Sequence, residues 1–224
     1  MKFTFILPTR GKFEDLVKSV YSFINSAKNR ENVDFLIVID IDDEDRSKIE
    51  SVFKDDNVKV LVTLRSNNWC NDYVNWACYK STGDIVGIIT DDVEMETYHW
   101  DQIIIDKIKD REHFLIDCFD STHEDEDASF PRFPMISRKS IETIGFFFYP
   151  QVRMWPADKI IFNLYNACEL VVECHDVKLT HYHLPNNDIS KTRFWNIFQE
   201  DIANGTLPVN IAREKWLLNN AIKK

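Results

Sequence analysis

Short apolar runs alternate with amphipathic stretches through the first half of the chain. Phe3 to Leu7, residues 34 to 39, Val58 to Leu64, residues 85 to 89 and His113 to Cys118 are each too short and too continuously apolar for surface helices, and they read as buried strands. Between them apolar residues recur at helical spacing. Phe13, Leu16, Val17, Val20, Tyr21 and Ile24 mark one helix, Ile49, Val52 and Phe53 a second over 45–54, and Trp69, Tyr73, Val74, Ala77 and Cys78 a third over 69–81 that ends before Gly83. Trp100, Ile103, Ile104 and Ile108 mark a fourth over 99–109. Strand and helix in strict alternation predict an α/β fold whose mostly parallel central sheet carries helices on both faces. The second half is less regular. A short strand is expected at Phe133 to Ile136, a helix from Ser137 to Ile144 stopped by Gly145, and a helix opened by Pro156 and reaching Ala167. Strands near 170–174 and 177–183 follow, then two amphipathic tail segments, 191–203 and 210–222, split by Asn204 to Pro208. Nothing in the sequence resembles a linker or an internal repeat, so a single domain over 1–224 is expected.

Three of the strands run directly into polar clusters. Phe3 to Leu7 is followed by Pro8, Thr9 and Arg10; residues 34 to 39 by Asp40, Asp42, Asp43 and Asp45; residues 85 to 89 by Thr90, Asp91 and Asp92. Unpaired charge is not tolerated inside a buried strand, so these groups belong where the strands emerge, and the carboxyl edge of a parallel sheet is where ligands bind. Adjacent carboxylates at one strand end repel unless a cation joins them, and hard divalent cations take oxygen ligands. The Asp40 to Asp45 group has a simpler role open to it as well, that of capping the following helix. The later acidic run from Asp117 to Asp127, with Asp120 inside it, reads as a solvated loop without a catalytic role.

Composition narrows the function classes. A chain of 224 residues with 44% hydrophobic and 13% aromatic content can bury a sizeable core, and a net charge of -10 argues against a surface built for nucleic acid or anionic membrane. Five cysteines without a CxxC pair suit a reducing compartment rather than a disulfide framework. No run approaches the roughly 18 apolar residues that span a bilayer, and the start is too short for a signal peptide, so a cytoplasmic location is expected. Only five glycines occur, and none forms GxGxxG or GxxxxGK[ST]. A nucleotide, if bound, must therefore be held by carboxylates and a metal rather than by a glycine cradle.

Ile6-Leu7-Pro8-Thr9-Arg10-Gly11, Val38-Ile39-Asp40-Ile41-Asp42-Asp43, and Gly83-Asp84-Ile85 leading to Thr90-Asp91-Asp92 with Trp100-Asp101 beyond, together resemble the GT-A fold glycosyltransferases, closest to family 2. The resemblance spans about residues 3 to 185. It implies that Pro8, Thr9, Arg10, Asp40 and Asp42 hold the nucleotide of a nucleoside diphosphate sugar, and that Asp91 and Asp92 stand for the Asp-x-Asp motif that binds Mn²⁺ or Mg²⁺ on the diphosphate. It also implies that Asp158 is the general base and that His181 or His183 completes the metal site. The acidic pair departs from strict Asp-x-Asp, leaving Asp92 alone, the pair, or Asp92 with Glu94 as the metal-facing set. The base stands in Pro156-Ala157-Asp158-Lys159 rather than in a Glu-Asp pair, and a helix-start carboxylate favoured by the macrodipole is its alternative role.

The same resemblance divides the chain into a nucleotide-sugar half (1–118), an acceptor and catalytic half (119–185) and a helical tail (186–224). His181 and His183 alternate along a strand, so at most one faces the site, with His183 slightly preferred. Arg65 and Asn68, just past the third strand, are candidates for base or phosphate contacts. The expected reaction is inverting, metal-dependent glycosyl transfer with UDP ahead of GDP as donor nucleotide. The acceptor is a soluble one, such as a saccharide, a protein or a modified base in nucleic acid. A sugar-nucleotide nucleotidyltransferase is disfavoured by the single glycine in the first loop, and a non-catalytic sugar-binding module by the intact carboxylates.

Overall fold

The computed structural model describes residues 1–54, 56–121, 130–182, 193–205 and 210–222, the side chains of 193–195 excepted. The chain runs β1 (Phe3–Pro8), α1 (Phe13–Ser26), β2 (Val33–Asp40), α2 (Arg46–Val52), β3 (Val58–Thr63), a π-helical turn (Cys70–Asn75) continuing as α3 (Trp76–Lys80), and β4 (Ile85–Ile88). It continues through β5 (Val93–Met95), α4 (Trp100–Ile108), β6 (Leu115–Asp120), β7 (Met135–Ser137), α5 (Arg138–Ile144), α6 (Ala157–Asn166), β8 (Val171–His181), α7 (Arg193–Ala203) and α8 (Ala212–Ile222). Among the described residues the strands form one sheet in the order β3-β2-β1-β4-β7-β6-β8-β5. β3, β2, β1 and β4 are parallel, as is β6 with β8, while β7 pairs antiparallel with both of its neighbours and β5 antiparallel with β8. The expected α/β sheet, mostly parallel with helices packed on it, is what forms.

The continuous apolar strands are explained by burial on both faces. Phe3, Phe5 and Leu7 join Phe35 and Ile37 on one face under Leu16, Val20 and Phe23 of α1 and Trp100 and Ile104 of α4. Ile6, Leu36, Val38, Val86 and Ile88 face the other way, under Val74, Ala77, Ile141, Ile161 and Leu164. Phe3 and Phe5 meet Trp100 and Phe23 edge-on with ring centroids 4.8 Å apart. This crowding explains Gly87 in β4, where a Cβ would stand 2.7 Å from the Phe5 ring. All five cysteines are buried and unpaired, so none forms a disulfide.

Three elements differ from the periodicity. The two strands expected near 170–174 and 177–183 are one strand, β8, whose register with β6 jumps from Cys118↔Cys174 to Phe119↔Lys178. The polar His175-Asp176 interruption is accommodated as an irregularity in that strand rather than as a turn. β5 has no counterpart in the expectation, because a three-residue strand is too short to declare a period. β6 runs on to Asp120, so the first part of the acidic run is strand, with Asp117 and Asp120 buried, rather than solvated loop. Among the described residues no helix is long and apolar enough to cross a membrane.

Asp101, in the first turn of α4, is buried and accepts from the backbone N–H of Lys28 (2.7 Å) and Asn29 (2.9 Å) and from Asn29 Nδ2 (3.0 Å), tying α4 to the end of α1. Asp101→Ala leaves these donors without their carboxylate and is expected to cost about 2 to 4 kcal/mol of stability. Urea denaturation of the variant and the parent checks this, and a loss below 1 kcal/mol on that scale would mean that water replaces the carboxylate.

Candidate active site

The loop after β1 is pinned to its neighbour by the Thr9 N–H, which donates to the Val38 carbonyl (3.0 Å). This brings Thr9 against the end of β4, where its hydroxyl donates to Asp91 Oδ2 at 2.6 Å. Gly11 adopts a φ of +64°, and beyond this turn Lys12 Nζ lies 2.9 Å from Asp91 Oδ1 and 3.5 Å from Asp92 Oδ2. Asp92 is held from the other side: the Thr90 hydroxyl donates to its Oδ1 at 2.6 Å, and His181 Nε2 stands 3.5 Å from the same oxygen. The backbone fastens this contact, since Tyr182 N–H donates to the Asp92 carbonyl at 2.8 Å. The far side of the His181 ring faces Asp120, with Nδ1 3.9 Å from Oδ2, and Phe133 packs edge-on against the ring at 4.9 Å.

The two neighbouring carboxylates are therefore not equivalent. Burial pushes Asp91 up from the ordinary carboxylate range, against the opposing hydrogen bonds and charge of Thr9 and Lys12. Burial acts the same way on Asp92, but hydrogen bonds from His181 and Thr90 and the Lys12 charge outweigh it and hold Asp92 well below that range. Asp92 is the member of the pair that stays anionic most firmly.

A second group lies beside the first at the ends of β1 and β2. Arg10 Nη1 is 2.8 Å from both Asp40 Oδ2 and Asp42 Oδ1, and the Tyr73 hydroxyl donates to Asp40 Oδ1. Asp40 is buried and Asp42 exposed, so Arg10 spans the site from floor to rim. Asp43 instead accepts from Gly11 N (3.3 Å) and Asp45 N (2.9 Å), and Asp45 pairs with Lys48 (2.7 Å), which assigns those two to loop and helix-start duties. Arg65 lines an open groove of about 480 Å³ together with Ser66, Asn71, Asp72, Trp76 and Tyr79. Asn68 turns inward: its Oδ1 accepts from Asn71 N (3.0 Å) and its Nδ2 donates to the Pro150 carbonyl (3.4 Å), so it shapes the turn that carries Tyr73. Pro8 ends β1 half-buried.

Asp158 occupies the first turn of α6, on a different element from both groups, and its Oδ1 accepts from Lys159 N at 2.8 Å. Burial raises it to about 6, against the backbone hydrogen bonds and the positive charges of Arg132 and Lys159. Arg132, one of those charges, directly precedes Phe133, whose ring packs on His181. The loop leading to Asp158 is fixed by Cys70 N–H, which donates to the Arg153 carbonyl (3.1 Å), and by the Arg153 guanidinium, which donates to buried Asp201 Oδ1 (2.6 Å) and to Glu200 (3.1 Å) on α7.

One sheet edge thus carries a basic and two acidic clusters, and α6 a separate carboxylate that burial raises. Residues 4–162 match the model of Glycosyl transferase family 2. The chain belongs to that family. No curated protein matches the sequence as a relative. Among solved structures, S. aureus TarS 1-349 in complex with UDP-GlcNAc is similar with a TM-score of 0.68 at 12% identity, over 97% of this chain and 70% of that one. The mannosyltransferase PcManGT from Pyrobaculum calidifontis, in complex with GDP-Man and Mn²⁺, is similar with a TM-score of 0.68 at 13% identity, over 97% and 69%. Of the longer TarS chain, this chain covers 42%. At such identity the likeness carries the fold, which is GT-A.

Within this family 2 chain the metal question turns on the donor set. Among the described residues no three His, Cys, Asp or Glu side chains close into a metal cage. Mg²⁺-type sites at phosphates, however, use one or two carboxylates and complete their shell with substrate oxygens and water. Asp91 and Asp92, already sharing a cation in the Lys12 ammonium, fit that incomplete set, with His181 against the other Asp92 oxygen, Oδ1. His181 stands at the pair, and His183, the slightly preferred of the two, lies outside the described residues. Glu94 lies in β5 opposite Thr180.

Three residues of the site were not marked by the sequence. Lys12 is a lone basic residue in a turn, Tyr73 falls on the apolar stripe of its helix, and Asp120 sat in an acidic run that reads as solvent-exposed. The only sequence signal for Lys12 was its place two residues after Arg10, in the loop that faces the acidic pair.

Proposed function

We propose that this glycosyltransferase moves a sugar from a nucleoside diphosphate sugar, UDP ahead of GDP, to an acceptor hydroxyl with inversion at the anomeric carbon and with dependence on a divalent metal. The convergence of Thr9, Asp91, Asp92 and His181 at the carboxyl edge of the sheet, next to the Arg10–Asp40–Tyr73 group, carries this reading. Asp40, with Arg10 and Asp42 around it, receives the base and ribose, Arg65 lies further along the same edge, and residues 1–118 form the donor half. Mn²⁺ or Mg²⁺ held by Asp91, Asp92 and His181 would supply Lewis-acid neutralisation of the charge that grows on the leaving diphosphate.

Asp158 stands on another element and supplies the remaining chemistry. As the acceptor oxygen attacks the anomeric carbon, its proton passes to the Asp158 carboxylate, and the bond from that carbon to the diphosphate oxygen breaks with its electron pair leaving on the diphosphate. One displacement inverts the configuration. Burial keeps Asp158 basic enough to accept the proton. The acceptor is a soluble saccharide, protein or modified nucleic-acid base, approached from the side of residues 119–185 and the tail, and the enzyme works in the cytoplasm. TarS with UDP-GlcNAc and PcManGT with GDP-Man and Mn²⁺ are the fold-mates that support the donor class and the metal.

A hydrolysis screen tests the reaction, because glycosyltransferases slowly transfer to water. Incubation with UDP- and GDP-sugars, with and without Mn²⁺, should release nucleoside diphosphate from at least one donor only when metal is present. Release of a monophosphate, or metal-independent release, contradicts the proposal. The nucleotide subsite is tested by Asp40→Ala, which removes a carboxylate that accepts hydrogen bonds and should weaken nucleotide binding by about 1.5 to 3 kcal/mol, roughly ten- to a hundredfold. Equal affinity in variant and parent assigns Asp40 to anchoring Arg10 and Tyr73 alone.

A further inference from the structure

The carboxylate pair is already occupied by a cation of the chain's own. Lys12 Nζ bridges Asp91 Oδ1 and Asp92 Oδ2 at 2.9 and 3.5 Å, from the turn between β1 and α1. Its side chain is 42% exposed, whereas those of Asp91 and Asp92 are 9% and 22% exposed. The carboxylates are fixed, by Thr9 on one side and by Thr90 and His181 on the other, and the ammonium rides on a four-carbon stem at the solvent side. Two adjacent carboxylates at a strand end repel each other when nothing positive lies between them, and here the ammonium compensates both. A divalent cation coordinated by these same oxygens and the ammonium cannot share one place, because like charges at that separation repel strongly. The stem must then move, and the nearest new anion is the diphosphate that arrives with the cation.

We propose that Lys12 is an exchangeable counter-ion: it holds Asp91 and Asp92 together in the empty enzyme, yields them to the divalent cation, and then pairs with the donor diphosphate. The proposal rests on the reading of Asp91 and Asp92 as the metal site. It has a consequence that a purely structural lysine would not have, namely two effects of opposite sign from one substitution. Lys12→Met keeps the unbranched stem and removes the charge. Without its competitor, Mn²⁺ should bind the nucleotide-free enzyme more tightly. Without its second role, the nucleotide should bind the Mn²⁺-loaded enzyme more weakly.

The experiment titrates Mn²⁺ alone into the nucleotide-free parent, Lys12→Met, Lys12→Arg and Asp92→Ala, following free Mn²⁺ by electron paramagnetic resonance. UDP and GDP are then titrated by calorimetry at saturating Mn²⁺. Lys12→Met should raise Mn²⁺ affinity and lower nucleotide affinity, each by roughly fivefold, as expected for losing a partly exposed charge contact. Lys12→Arg, which retains the charge, should stay near the parent in both. Unchanged or weaker Mn²⁺ binding by Lys12→Met overturns the exchange, as does unchanged nucleotide affinity. If the parent binds Mn²⁺ and Asp92→Ala does not, the metal site stands whatever Lys12 does. If neither the parent nor Lys12→Met binds Mn²⁺, the metal site and the exchange fall together.

Discussion

Asp158→Asn is expected to cut transfer by at least about 10² while leaving donor binding intact. The substitution keeps size and shape, and Asp158 lies on α6, apart from the carboxylate pair and the Arg10–Asp40 group, so neither the metal subsite nor the nucleotide subsite changes. An amide cannot accept the acceptor's proton, and loss of a general base typically removes about 10² to 10⁴ in rate. Turnover with saturating donor should therefore fall by at least about 10², with the nucleotide affinity within twofold of the parent. The parent carries a second signature of the same residue. Burial raises Asp158 to about 6, and a base works only when ionised, so the transfer rate should climb as pH rises through about 6 and level off above it. In Asp158→Asn the residual rate should lack that rise. Persistent turnover in the variant would assign the proton to another carboxylate, and a collapse of donor affinity would place Asp158 in the nucleotide or metal subsite.

Asp92→Ala is expected to be as damaging for a different reason. Asp92 is the carboxylate held below the ordinary range by His181, Thr90 and Lys12, and it is the one that both Lys12 and His181 approach. Metal-ion neutralisation of a leaving group contributes several kcal/mol, so without Asp92 the turnover should fall by roughly 10² to 10³ and added Mn²⁺ should restore little of it. Asp91→Ala should be milder in metal response and harsher in stability, since Asp91 is more buried and also holds Thr9 and Lys12. A variant Asp92→Ala whose rate still rises with Mn²⁺ as the parent's does would move the metal elsewhere.

The parts of the fold that could be read from the sequence were those whose burial is symmetrical. β1, β2 and β4 are covered on both faces, so their side chains form unbroken apolar runs, and their charged ends stand out as breaks in those runs. That is why Thr9, Arg10, Asp40, Asp91 and Asp92 were marked as edge residues, and the structure brings them to one edge. β5 and the continuous β8 were hidden, because three residues set no period and because His175-Asp176 interrupts the apolar pattern inside a strand that continues past it. The same interruption obscured His181: alternation says that His181 and His183 face opposite ways but not which faces the site, and only pairing of β8 with β5 places His181 at Asp92. Lys12 and Tyr73 were invisible for a third reason. Their partners Asp91 and Asp40 lie 79 and 33 residues away in sequence, and contacts of that range leave no local pattern. Asp120 was misplaced because an acidic run is usually a solvated face, whereas β6 carries the first part of this one into the sheet.

The tail packs onto the segment before α6 through contacts that periodicity could not indicate. Asp201 of α7 is buried and accepts from the Arg153 side chain, and Glu214 of α8 is buried and accepts from Tyr149 (2.9 Å), so both helices hold the segment that leads to Asp158. On the proposed reading of Asp158 as the base, this anchoring by two charged contacts would hold it in place for the acceptor.

The central claim, that this sheet edge binds a nucleoside diphosphate through a metal held by Asp91 and Asp92, is tested most directly by calorimetry. UDP and GDP are titrated into the parent and into Asp92→Ala, each with and without Mn²⁺. At least one nucleotide should bind the parent more tightly with Mn²⁺ than without it, by about tenfold or more, and Asp92→Ala should show no such gain. Nucleotide binding of equal strength with and without Mn²⁺ in the parent, or an equal Mn²⁺ response in both proteins, would contradict the claim.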